Sequence, residues 1–204
     1  LTLASAGEGK FVTLWDVATG DERARLTDFR GNVHRVAFSP DGTRLATGGG
    51  FGNGADARGE VKIWDLATRS ASASLEGHAR SVLALAFAPD GRSLASGGMD
   101  ETVRVWDVAT GLGRVTLGGL PGCVQSLAFS RDGRLLAWSG RGDGLVAIHD
   151  AASGAEVTRL VGHRATVRAL AFSPDGRGLA TGGADRTVRL WDVPGPARPL
   201  VAKR

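Results

Sequence analysis

Residues 77–107 read GHARSVLALAFAPDGRSLASGGMDETVRVWD and end on the triplet Val105-Trp106-Asp107. Val82 to Phe87 is an apolar run closed by Pro89-Asp90-Gly91, a turn signal that ends a buried strand. Leu94-Ala95-Ser96 follows, then Gly97-Gly98, and Thr102 to Trp106 alternates polar and apolar residues as a half-buried strand does. Asp107-Val108-Ala109-Thr110-Gly111 is a second turn, and Arg114 to Leu117 reads as a more polar fourth strand. The stretch predicts a small antiparallel sheet of four short strands.

The same pattern recurs along the chain. Trp15, Trp64, Trp106 and Trp191 each sit in an Ile/Leu/Val-Trp-Asp context, and His149-Asp150 takes the remaining place in a series spaced 49, 42, 43 and 42 residues apart. Phe38, Phe87, Phe129 and Phe172 each lie 23 residues beyond the preceding Trp or His149, so all length variation falls between the Phe and the next Trp position. A period in this range is that of solenoids, propellers or arrays. A lone four-stranded meander cannot bury both faces, so the units must stack on one another.

The unit resembles that of the WD-repeat β-propeller family, whose repeats carry a Gly-His pair followed by Trp-Asp. The resemblance covers essentially the whole chain. It implies an all-β propeller of four-stranded antiparallel blades, four complete and a fifth of three strands, forming an open arc of a larger, seven-bladed ring. It also implies a structural hydrogen-bonded tetrad on His78, Ser96, Asp100 and Trp106, and a second on His163, Thr181, Asp185 and Trp191. Other units depart from this. Asp28-Phe29 and Gly119-Leu120 replace Gly-His, Arg58 and Gly9 fall where the Asp belongs, and Trp138 stands at the hydroxyl position of the His149 unit. Those blades are expected to rely on packing.

The expected division is a partial blade over 1–27, a blade over 28–76 with a loop insertion near 48–58, and a blade with full tetrad over 77–118. A degenerate blade over 119–161 and a tetrad blade over 162–204 with a Pro-rich C-terminal edge complete it. Leu1 to Ser5 and Phe11 to Trp15 match second and third strands, so a first strand is missing ahead of Leu1 and the chain reads as a piece of a longer protein. Its open blade faces are expected to favour self-association.

Composition narrows the function. With 42% hydrophobic residues and 31 glycines the chain is globular and turn-rich, and it has no apolar run of membrane-spanning length. Cys123 is the sole cysteine, which excludes an intramolecular disulfide and favours a cytoplasmic setting. The formal charge of +4 comes from 25 basic and 21 acidic residues, and the arginines recur at equivalent places instead of clustering, so nucleic-acid binding is not expected.

Sites of chemistry are sparse. His78, Ser96 and Asp100 have the residue types of a hydrolase triad, but the set recurs with Thr181 and a Trp partner and no GxSxG elbow is present, which favours the structural reading. His34, His78, His149 and His163 come from different units with no Cys or carboxylate at ligand spacing, so neither a metal nor another cofactor is expected. Gly48 to Asp56 holds the length surplus of its unit and lacks a following GK[ST]. It reads as a flexible surface loop, and the sharper alternative is that Phe51, a lone aromatic among glycines, projects as a contact residue for a partner. Arg141-Gly142-Asp143 reads as the turn between two strands.

The resemblance places partner docking on the loops that enter the inner strands and carry the tetrad Asp. On this sequence that face presents Asn32, His34, Arg80, Ser81 and Met99. Farther along come Gln125, Arg164 and Arg168. The expected function is a non-catalytic scaffold that binds a protein or peptide there. The alternative is a sensor or substrate-recruiting domain of a larger enzyme, a kinase or protease encoded upstream. The Arg- and Ala-rich style, with near-identical FSPDG and LWDV units, resembles bacterial WD-repeat proteins.

Overall fold

Each repeat folds as a meander because its apolar runs are punctuated by turns that need a left-handed residue, and glycine supplies it at Gly42, Gly91, Gly133 and Gly176, where φ is 70°, 68°, 72° and 71°. The computed structural model describes residues 1–52, 56–142 and 144–193. Its first sheet holds β1 (Thr2–Ala6), β2 (Val12–Asp16) and β3 (Glu22–Leu26). The second holds β4 (Asn32–Phe38), β5 (Arg44–Phe51), β6 (Arg58–Asp65) and β7 (Ser70–Leu75). The third is β8 (Val82–Phe87), β9 (Ser93–Gly98), β10 (Val103–Asp107) and β11 (Gly113–Leu117), and the fourth is β12 (Val124–Phe129), β13 (Leu135–Gly140), β14 (Val146–Asp150) and β15 (Glu156–Leu160). The fifth is β16 (Val167–Phe172), β17 (Gly178–Gly183) and β18 (Val188–Asp192). Among the described residues there are thus three four-stranded and two three-stranded sheets, one four-stranded sheet fewer than the sequence reading expects. The outermost strand of the last sheet falls on the tail from Pro194 onward, which lies outside the described residues.

The core lies between sheets, not within them. Val12, Leu14 and Leu26 of the first sheet pack against Val33, Leu45 and Trp64 of the second. Val61, Ile63 and Leu75 meet Val82, Leu94 and Trp106 at the next joint. The following two joints repeat this, with Val103, Val105 and Leu117 facing Val124, Leu136 and Trp138, and Val146, Ile148 and Leu160 facing Val167, Leu179 and Trp191. Close approach at a joint also explains a glycine: a Cβ on Gly97 lies 2.3 Å from Val124 Cγ1. Burying each Val or Leu contributes about 1.5–3 kcal/mol, so the stack is held by its joints. At the two ends of the arc the equivalent residues are uncovered. Val188 and Leu190 are 75% and 70% exposed where Val146 and Ile148 are 0%, and Leu3 is 56% exposed where Leu45, Leu94 and Leu136 are 0%.

The glycine-rich surplus is not a loop from Gly48. It lengthens the β5–β6 hairpin, with Gly48 opposite Val61, Gly49 opposite Glu60, Gly50 opposite Gly59 and Phe51 opposite Arg58. Glycine is required there by crowding. A Cβ on Gly49 lies 1.9 Å from the Asn32 carbonyl oxygen and one on Gly50 lies 2.3 Å from Ser81 Oγ. Asn53 to Ala55 lie outside the described residues.

Candidate functional site

The polar set of the third sheet is a closed relay. His78 Nδ1 lies 2.9 Å from Asp100 Oδ2, His78 Nε2 lies 2.7 Å from Ser96 Oγ, and the Trp106 indole N–H donates to that Oγ at 2.7 Å. Since a carboxylate only accepts, Nδ1 carries the proton and Nε2 accepts from the Ser96 hydroxyl. Asp100 further accepts from the Ala79 N–H and from the hydroxyl of Thr102, each at 2.9 Å. Burial pushes the Asp100 carboxyl up, but the bonds from His78, Ala79 and Thr102 outweigh it and hold it at about 2. The last sheet repeats the arrangement, with His163 at 3.0 Å from Asp185 and 2.7 Å from Thr181, and Trp191 donating to Thr181 at 2.8 Å. Asp185 is lowered chiefly by the Arg164 N–H, with Thr187 and His163 adding to it against burial. Ser96 is 0% exposed and its hydroxyl is spent between two rings, so no substrate reaches it.

Thr102 and Thr187 belong to these sets, and an Asp-x-Thr spacing repeated in both units is the signal that marks them. Because Asp100 gathers several donors around a buried imidazole, Asp100→Ala is expected to cost about 1–3 kcal/mol. Asp90→Ala, which removes an acceptor for the Arg92 N–H in an exposed turn, is expected to cost less. Equal denaturation midpoints for the two variants contradict the relay.

The two units that lack Gly-His do not rely on packing alone, contrary to expectation. In the second sheet Phe29 packs on Trp64 with ring centroids 5.1 Å apart, and Trp64 still donates to Thr47 Oγ1 at 3.1 Å. Lys62 Nζ lies 2.7 Å from Asp28 Oδ2 and 3.6 Å from Glu60 Oε1, and Glu60 accepts the Arg30 N–H at 3.2 Å. In the fourth sheet Trp138 on β13 takes the place of Ser96 and His149 on β14 that of Trp106: the Trp138 N–H donates to His149 Nδ1 at 3.2 Å, and Leu120 is buried in the loop where His78 stands in the third sheet. Asp143, expected in the Arg141-Gly142-Asp143 turn, lies outside the described residues.

The loop end of the second and third sheets is drawn together by backbone contacts. The Gly59 N–H donates to the His78 carbonyl at 3.0 Å and the lengthened β5 passes so close to Ser81 that only glycine fits at Gly50, while within the third sheet the Met99 N–H donates to the Ser81 carbonyl at 2.8 Å. A shallow cavity of about 400 Å³ results, lined by Ala57, Arg58, Ala79, Arg80, Met99 and Glu101, with Asp100 at its wall. Phe51 is half-buried with the Arg30 guanidinium 5.4 Å over its ring, so it stacks within the chain instead of projecting freely. In the last sheet the Ala184 N–H donates to the Thr166 carbonyl at 2.8 Å, and Arg164 is exposed beside it. Asn32 is half-buried at the start of β4.

Every complete inner strand carries a bulge just after its first valine, between Val33 and Arg35, Val82 and Ala84, Val124 and Ser126, and Val167 and Ala169. The bulged residues are His34, Leu83, Gln125 and Arg168. His34 and Arg168 are exposed, and Leu83 and Gln125 half-buried. A bulge re-aims a side chain and is over-represented beside binding sites. Periodicity gave no sign of it, and Leu83 therefore escaped the sequence reading.

Stacked four-stranded meanders with buried His-Asp-Ser/Thr-Trp relays define a β-propeller arc. The sequence profile of the WD40 family, described as WD domain, G-beta repeat, matches residues 23–65, 69–107, 115–150 and 154–192, and the chain belongs to that family. Each match runs from the outermost strand of one sheet through the third strand of the next, so the sequence repeat straddles every joint. No curated protein matches the chain. Repeats of this family generally mediate protein–protein interaction. Among the described residues no cluster of His, Cys, Asp and Glu could hold a metal ion, and no helix is long and apolar enough to cross a membrane.

Proposed function

We propose that the chain is a non-catalytic interaction scaffold that takes a protein or peptide across its loop end. The supporting observation is the row of bulges. One scaffold position, repeated in four successive sheets, turns out an imidazole, an isobutyl group, a carboxamide and a guanidinium at His34, Leu83, Gln125 and Arg168. A repeated backbone presenting unlike side chains is what specific recognition of an extended partner needs, and no step of chemistry is required of it. Arg80, Ser81 and Met99 extend the row at one joint, Arg164 at another, and Asn32 and Phe51 form its rim.

The test is selection of binders from a displayed random peptide library, followed by affinity measurement on variants. Arg168→Glu and Arg80→Glu are expected to weaken the selected peptides, and Arg92→Glu, at the opposite end, to leave them unchanged. Peptides insensitive to both loop-end variants argue against the proposal.

The uncovered ends support a second, concentration-dependent property. Val188 and Leu190 present the apolar pattern that is covered at every internal joint. Sedimentation of the chain is expected to show association that Leu190→Glu abolishes, and an unchanged profile contradicts this.

A further inference from the structure

At the end opposite the tetrads, the four Asp-Gly turns share one backbone, with the N–H of Gly42, Gly91, Gly133 and Gly176 donating to the carbonyl of Ser39, Ala88, Ser130 and Ser173. Pro40, Pro89 and Pro174 precede the Asp in three of them, and Arg131 stands in the fourth. The proline seals the joint to the next sheet. A Cβ on Gly91 lies 3.7 Å from Pro40 Cδ, and one on Gly133 lies 3.7 Å from Pro89 Cδ. Gly176 follows the sheet that has Arg131, and nothing lies within 4 Å of its Cβ position.

A cleft of about 570 Å³ opens at that joint, within the size range of small-molecule sites. Leu135, Val157 and Pro174 give it an apolar side, and Arg131, Arg134 and Arg177 border it. Val157 is 43% exposed. The carboxylates at the rim are already engaged. Asp132 accepts from Ser130 Oγ and the Arg134 N–H, Asp175 from Ser173 Oγ and the Arg177 N–H, and Asp150 from the N–H groups of Ala152 and Ser153. Arg134 acts at longer range on Asp132 and Asp150, and Arg177 on Asp175, but among the described residues none of the three guanidiniums makes a side-chain hydrogen bond or close ion pair, which leaves their forked donors open to a planar or tetrahedral anion.

We propose that this cleft binds a small organic anion with an apolar body, its carboxylate or phosphate head on Arg131 and Arg177 and its chain over Leu135 and Val157. The site is independent of the loop-end face. The experiment titrates the full chain with hexanoate, hexyl phosphate, inorganic phosphate and hexylamine while following amide and methyl NMR signals. Hexanoate or hexyl phosphate is expected to shift Val157 and residues 131–135 and 174–177 saturably, and the stronger of the two identifies the head group. Inorganic phosphate is expected to bind more weakly than hexyl phosphate, and hexylamine not at all.

Arg131→Pro, which restores the residue of the other three turns, is expected to weaken binding about tenfold or more while leaving the Trp138 indole signal in place. Arg177→Ser, at an exposed position, is expected to do the same without touching the turn's first residue. Absence of a saturable shift with either anion, undiminished binding in both variants, or hexylamine binding as tightly as hexanoate overturns the proposal.

Discussion

Replacing Lys62 by Ala is expected to destabilise the chain by about 3–5 kcal/mol, the cost of leaving a buried charge without its partner. Lys62 and Glu60 are only 7% and 9% exposed, and the ammonium lies 5.8 Å from the ring centroids of both Phe29 and Trp64. It donates to the Asp28 carbonyl and carboxylate and faces Glu60, which in turn holds the Arg30 N–H. Removing the ammonium leaves the buried Glu60 carboxylate with the Arg30 N–H but without its cation, and frees the loop from Asp28 to Arg30. The double change Lys62→Met, Glu60→Gln removes both charges, fills the volume and is expected to recover most of the loss. Urea unfolding followed by Trp fluorescence checks this. A Lys62→Ala loss under about 1 kcal/mol, the range of exposed pairs, contradicts the assignment.

Trp138→Ala is the second large effect, also about 3–5 kcal/mol. Trp138 is 0% exposed and fills, from β13, the place at its joint that Trp106 and Trp191 fill from β10 and β18. Its N–H donates to His149 Nδ1, so that nitrogen must be unprotonated. Burial lowers the His149 pKa from 6.5 and the nearby Arg159 adds to this, with Glu156 opposing. Protons therefore bind the unfolded chain more readily. The stability from this histidine is complete above the unfolded pKa and is lost as pH falls through the folded value. His149→Gln is expected to flatten that decline between about pH 7 and pH 5. Trp138→Phe is expected to recover part of the volume loss but not the bond. Parallel pH profiles for wild type and His149→Gln contradict the pairing.

The fold was legible because its landmarks are residues that joints require. Trp64, Trp106 and Trp191 are inter-sheet knobs, Val82 and Leu94 their neighbours, and a fixed Phe-to-Trp spacing records the hairpin between them. The relays of His78 and His163 were legible for the same reason, since one spacing recurs with one hydroxyl exchanged for another. What escaped is what spacing does not encode. Lys62 sits two residues before Trp64, where Arg104 and Arg189 sit before theirs, so nothing local distinguishes a buried ammonium from those positions. The run Gly48 to Gly50 reads as a loop by composition, yet its glycines serve close backbone approach to Asn32 and Ser81 inside a strand. The bulges at His34 and Gln125 alter pairing without altering alternation enough to show. At the loop end, the residue types were readable at Arg80 and Met99, but their meeting depends on one hydrogen bond between loops of different strands.

The proposed recognition role of the loop end is put to the test by amide hydrogen exchange of the whole chain with and without a saturating peptide selected from the displayed library. Protection is expected at residues 79–83, 99–101, 123–126 and 164–168, together with 32–35, and none at 89–92 or 131–134. Protection centred on those latter turns, with the loop end unchanged, contradicts it.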